Sequence, residues 1–212
     1  YYLVENETNT RIIDAYHKYI DRIMTLAGYD TESAERIWDS VIRIETEMAT
    51  HKLTREERRD PMKRHNMRTL AEIKEQYPHT EWEKLFEGVG LQNVKGANLS
   101  SPDYLKFIDS YIPQLTEREL KDFLISGIIM ESTGVLGEDF YNADFELYDR
   151  VMSGTEEKKP LWKRAMTIPN SMFGEAIGQL YVEKYFPEEN KLYMVGLVEN
   201  LRKALGDHIQ AL

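Results

Sequence analysis

Apolar residues recur every three or four positions through most of this chain, the spacing of helices that bury one face. The first stripe runs Ile12, Ile13, Tyr16, Tyr19, Ile20 and Ile23 and closes at Gly28. A second follows Asp30 and Thr31, both good N-cap types, through Ala34, Ile37, Val41, Ile44 and Met48. Only Gly28 to Asp30 separates the two stripes, so they predict an antiparallel helical hairpin.

A polar knot interrupts the pattern at Thr54 to Pro61, TREERRDP, where Pro61 sets a turn or a new helix start. Short helices are expected at Leu70 to Gln76 and Glu81 to Glu87, separated by Pro78. Gly88 to Ser101 is the least helical stretch and has room for a brief strand. Pro102 reopens helix and Pro113 closes it. Thr116 and Glu119 have capping-box spacing ahead of Leu120, Phe123, Leu124 and Ile128. Another helix is expected over Glu138 to Met152, stopped at Ser153–Gly154.

Pro160 to Pro187 reads as mostly helix, with Pro169 as a kink or a first-turn residue. A final stripe, Leu192, Val195, Val198, Leu201, Leu205, Ile209 and Leu212, is still apolar at its last residue, as expected of a cut through or just after a helix. There is no internal repeat and no strand–helix alternation. The expectation is an all-α fold, a multi-helix bundle with long antiparallel helices and at most one short strand pair.

Composition narrows the function classes. The 212 residues are 42% apolar and 30% charged, the balance of an ordinary globular protein. A formal charge of -10 argues against a nucleic-acid partner, whose phosphates need a surplus of lysine and arginine. No apolar run reaches membrane-spanning length, and the best, Leu124 to Met130, contains Ser126 and Gly127. The opening YYLVENE lacks an initiator methionine, as a processed or trimmed chain would, so a leader is left open. With no cysteine there are no disulfides or thiolate ligands, which leaves the compartment undecided.

Catalytic constellations are scarce. None of His17, His51, His65, His79 or His208 is followed by glutamate, so there is no H-E-x-x-H. Only Asp14 precedes a histidine, His17, at the three-residue spacing of a bundle metal site, and such a pair on an amphipathic helix reads as a surface pair. There is no nucleophile elbow and no Gly-rich phosphate loop. Tyr141, Phe145 and Tyr148 share one helix face, as do Phe173, Ile177, Leu180 and Tyr181, and core packing is the favoured reading over a peptide-binding wall. Two readings of the knot stay open. Arg58, Arg59 and Asp60 form either a hydrogen-bonded clamp between helices or a solvated, self-neutralising loop.

Two separated segments carry a resemblance. Arg55 to Pro61 reads REERRDP, followed by Asn66 and by Met67, Thr69 and Leu70 in MRTLAEI. Downstream, PLWKRAMTIPNSMFGEAIGQLYVEKYFP sets Trp162, Lys163, Arg164 and Ala165 ahead of Gly178, Leu180, Tyr181, Val182, Glu183 and Phe186. TERELKDFL and SGTEEKKPLW lie between them in order. The whole chain thus resembles the N-terminal helical part of the neprilysin and endothelin-converting-enzyme family of zinc metallopeptidases. In that comparison the helix after the knot begins at Met67. Ala165 stands where animal members carry a disulfide cysteine, which implies a bacterial member.

The resemblance implies a two-lobed parent, a zinc-dependent metalloendopeptidase that hydrolyses short peptides. Residues 1–212 would form part of the helical lobe that shapes and closes the substrate cavity, with the catalytic lobe of the same polypeptide as partner. Zinc would belong to the parent, and this chain alone would be inactive. No catalytic, metal-binding or cofactor-binding residue is therefore assigned. The structural candidates are Arg58, Arg59, Asp60, Trp162, Arg164, Tyr181 and Glu183. A periplasmic or extracellular location is expected, with a cytoplasmic one still open. Non-native dimers are expected where the last stripe lacks cover. The competing reading is a stand-alone helical interaction module without catalytic activity.

Overall fold

The structure is a computed structural model that describes residues 1–211, so Leu212, the last member of the final stripe, lies outside the described residues. The chain divides into two units, residues 1–156 and residues 157–212. Helices dominate both, and one two-stranded sheet lies in the first. The architecture is all-α, as the periodicity predicts.

In the first unit, α1 (Glu7–Leu26) and α2 (Thr31–Thr50) pack as the expected hairpin. Asn6 starts α1 by accepting from the Asn9 amide at 2.8 Å, and Asp30 starts α2 by accepting from Ser33 at the same distance. Between them Gly28 sits at φ 92°, a left-handed conformation that glycine adopts without a Cβ penalty. The core forms where Tyr16, Tyr19, Ile20, Ile23 and Met24 of α1 meet Ala34, Ile37, Trp38 and Val41 of α2.

Helix α7 (Glu117–Leu136) packs against α2, and its Thr116–Glu119 capping box is formed in both directions. Its inward face is mixed, with Phe123, Ile129 and Met130 packed against the core beside polar residues. Asp122, Ser126 and Thr133 are buried, whereas Leu124, Ile128 and Val135 are 53%, 67% and 74% exposed. The inward polar residues are each satisfied. Arg36 pairs with Asp122, Ser126 donates to the Phe123 carbonyl, and Thr133 donates to the Met130 carbonyl.

The expected Glu138–Met152 helix exists, but as α8 (Glu138–Asp144) widening into a π-helical stretch, Phe145–Met152. It adds Ala143 and Leu147 to the core, and Phe145 is buried as well.

Between α2 and α7 lies a smaller cluster of Ile73, Tyr77 and Trp82. It is carried by α4 (Leu70–Gln76) and α5 (Trp82–Gly88), with Leu105 of α6 (Pro102–Tyr111) packed against it. The Trp82 indole donates to the Tyr77 carbonyl at 2.9 Å. Strand β1 (Met67–Thr69) pairs antiparallel with β2 (Gly96–Asn98), in register Met67 to Asn98 and Thr69 to Gly96. A Cβ on Gly96 would lie 2.4 Å from the Arg68 carbonyl oxygen, so only glycine lets the strands approach this closely. The short helix expected over Leu70 to Gln76 is α4, and the Met67 start that the resemblance implied falls in β1, three residues upstream. Thr69 ends the strand and caps α4 in a box with Glu72.

The second unit contains α9 (Leu161–Ala165), α10 (Thr167–Met172), α11 (Gly174–Tyr185) and α12 (Glu188–Gln210). Pro169 falls in the first turn of α10, where its missing N–H breaks no helical bond. No described residue from 157 onward is buried.

Candidate functional site

The knot folds as a local turn. Glu57 accepts from the Thr54 amide at 3.0 Å and from Lys63 Nζ at 2.9 Å, while Thr54 Oγ1 accepts from the Glu57 amide. These bonds, the Lys63 ammonium first among them, pull the Glu57 carboxyl down to about 2. Asp60 caps α3 (Pro61–Arg64) by accepting from the Met62 amide at 2.9 Å. Arg58 and Arg59 are exposed and Asp60 is half-buried.

The remaining candidates belong to the second unit. Trp162 is 64% exposed with the Lys163 ammonium over its ring, and Arg164 is half-buried. Tyr181 is 60% exposed and its ring lies 5.2 Å from that of Tyr185. Glu183 is exposed and accepts from Gln179 at 3.1 Å. The candidates thus fall into two sets on two units, and they form no common catalytic cluster within either.

The aromatic faces separate likewise. Phe145 is core, as expected, and Tyr141 is half-buried beside it with rings 6.5 Å apart, but Tyr148 of the same face is 39% exposed. Phe173, Leu180 and Tyr181 are 59%, 66% and 60% exposed, so the core reading is corrected for that face in this chain.

Zinc does not fit the donor set. Among the described residues no group of three or more His, Asp or Glu side chains is placed to hold a metal ion. His17 instead pairs with Glu35 at 2.9 Å and stacks on Trp38, with centroids 4.5 Å apart. Asp14, its partner by spacing, is exposed.

A polar centre that the sequence reading missed lies where the N-terminal residues, α1, α2 and the π-helical stretch meet. Glu45 accepts from the Tyr2 hydroxyl at 2.7 Å and from the Tyr16 hydroxyl at 3.2 Å. Burial raises the Glu45 carboxyl above its ordinary value, the two hydroxyl bonds opposing. Burial first, then the Glu45 charge, drives the Tyr2 and Tyr16 phenols upward. A cavity of about 220 Å³ opens beside this centre. Nearby, Asp144 accepts from Tyr19 at 3.4 Å and lies 3.2 Å from the Thr133 hydroxyl, whose one proton it shares with the Met130 carbonyl, and burial raises it too. No spacing rule joins residues 43 and 29 positions apart, and an apolar stripe gives no hint of a carboxylate at its margin.

Comparison with known proteins defines the class. The profile for the N-terminal part of peptidase family M13 matches residues 1–212. Neprilysin-2 of Drosophila melanogaster is 26% identical over 97% of this chain and 28% of its own length. Human endothelin-converting enzyme-like 1 is 24% identical over all of this chain and 28% of its own. Among solved structures, the Mycobacterium tuberculosis zinc metalloprotease ZMP1 in complex with inhibitor superposes with a TM-score of 0.83. It is 24% identical and covers 96% of this chain and 31% of that one. PepO of Lactobacillus rhamnosis, 18% identical, shares the fold with a TM-score of 0.75.

This chain belongs to peptidase family M13, of which it represents the N-terminal region. It spans less than a third of the length of these relatives.

Proposed function

We propose that residues 1–212 are the non-catalytic helical portion of a zinc-dependent metalloendopeptidase. On this reading they wall in and close a cavity that admits short peptides, while zinc and its ligands belong to a catalytic lobe of the same polypeptide. The observation that carries it is the family match over the full chain, joined to a second unit with no buried residue. Nineteen large apolar side chains from Leu161 to Ile209 are exposed, far more than an independent domain leaves uncovered. The outward Leu124, Ile128 and Val135 of α7 are a further uncovered set. Arg58, Arg59, Trp162, Arg164, Tyr181 and Glu183 are the side chains offered to that remainder, and Asp60 holds the turn that presents the first two.

A periplasmic or extracellular setting and a bacterial source accompany this reading. No helix among the described residues is long and apolar enough to cross a membrane. The net charge of -10 supports a partner other than nucleic acid.

The test has two arms. The gene is read beyond codon 212, where an H-E-x-x-H several hundred residues on supports the reading and a stop codon supports a stand-alone interaction module. The longer polypeptide and the 212-residue chain are then assayed on a quenched fluorescent peptide, with and without chelator, alongside elemental analysis after dialysis. Chelator-sensitive cleavage by the longer chain alone is the expected result. Stoichiometric zinc with cleavage in the 212-residue chain overturns it.

A further inference from the structure

The cavity beside Glu45 is lined by one carboxylate, four tyrosines and apolar side chains. The Tyr2 hydroxyl donates to the carboxylate at 2.7 Å, and the Tyr16 hydroxyl lies within reach of both the carboxylate, at 3.2 Å, and Met130 Sδ, at 3.7 Å. An ionised carboxylate accepts at about four positions, so roughly two remain after these bonds. Tyr1 and Tyr148, 57% and 39% exposed, add ring faces, and Met130 adds a thioether. The lining contains no lysine, arginine or histidine. Lys52 affects Glu45 only through its charge at longer range, with no ion pair between them.

A half-buried carboxylate without a cation is unfavourable unless a cation or a proton arrives. Aromatic rings around it favour a cation whose positive charge is spread over C–H and N–H groups. At about 220 Å³ the space is below the ~300 Å³ at which drug-sized ligands begin to fit, so the occupant is small.

We propose that this cavity binds a small organic ammonium ion, with Glu45 as counter-charge and the Tyr1, Tyr2, Tyr16 and Tyr148 rings as its walls. Every residue in it belongs to the first unit, and none is among the side chains named above as offered to the remainder.

The experiment uses n-butylammonium as probe on the 212-residue chain, read by saturation-transfer NMR and titration, with n-butanol as the neutral probe of equal size. The expected result is binding of the ammonium at least about tenfold tighter than of the alcohol, a preference removed by Glu45→Gln. Equal binding of the two probes would show an apolar hollow only and overturn the proposal. So would an undetectable ammonium signal, or a preference that survives Glu45→Gln. If circular dichroism shows that Glu45→Gln fails to fold, Tyr148→Leu takes its place. That change removes one wall at the surface and is expected to weaken the ammonium at least about threefold. Unchanged affinity in a folded Tyr148→Leu variant counts against the site.

Discussion

Arg36 on α2 reaches Asp122 on α7, Nε to Oδ2 at 3.1 Å, and Asp122 is only 5% exposed. The pair joins residues 86 positions apart and holds the Asp122 side of α7 inward. Removing the guanidinium leaves a carboxylate buried without its counter-charge. Because Arg36 itself is 36% exposed, we expect Arg36→Ala to cost about 2 kcal/mol, below the range for wholly buried pairs. Adding Asp122→Asn should recover part of that loss. Urea midpoints of the single and double variants check both expectations, and additive losses would show that the two side chains are not coupled.

The knot gives a contrast within three residues. Asp60→Ala removes an N-cap and should cost about 1 kcal/mol, whereas Arg59→Ala, at an exposed position, should stay within about 0.5 kcal/mol. A loss above 1 kcal/mol at Arg59 in the isolated chain would restore the clamp reading.

Glu45 makes stability depend on pH with a definite sign. Burial raises its folded-state value above the unfolded one, so folding favours the protonated form. Its contribution is fully present below the unfolded value of 4.5 and is lost as pH rises through the raised folded value. The stability of wild type relative to Glu45→Gln should therefore fall as pH rises from 4.5 through the raised folded value. Asp144, also raised by burial, acts in the same direction and is unaltered in both proteins, so it cancels. Urea titrations across that range decide it, and a relative stability that rises with pH would show that the hydroxyl bonds outweigh burial.

The outward stripe of α12 should drive association of the isolated chain. Val198, Leu201, Leu205 and Ile209 are each at least 50% exposed. Dimers by sedimentation, or binding of a hydrophobic dye, are expected, and Leu201→Glu with Leu205→Glu should abolish both. A strictly monomeric wild type that ignores the dye would contradict the exposure described here.

Local rules were readable wherever the determinant was local. The Gly28 turn, the Asp30 cap and the Thr116–Glu119 box all follow from residues within four positions of one another. The short helix at Leu70 to Gln76 is legible in the same way, and only the Met67 start that the resemblance implied gives way, to strand pairing with Asn98. A π-helical turn differs from an α-turn by about one residue, and so leaves the apolar pattern of Phe145–Met152 unmarked. The inward Asp122 side of α7 depends on Arg36 and the Glu45 centre depends on Tyr2, both distant in sequence. Apolar residues rank by their tendency to be covered, but the ranking does not name the cover, which is why the exposure of the Phe173–Tyr181 face in this chain is not legible from its residues.

The second unit's lack of an interior has a consequence for how this chain melts. Cooperative unfolding needs side chains whose burial is gained or lost together, and among residues 157–211 none is fully buried. Their helices can fray one turn at a time, with little heat absorbed, while residues 1–156 lose their core in a single step. A calorimeter would register less of this protein than a spectropolarimeter does, and the gap between the two signals would count the residues whose helices lack a buried core.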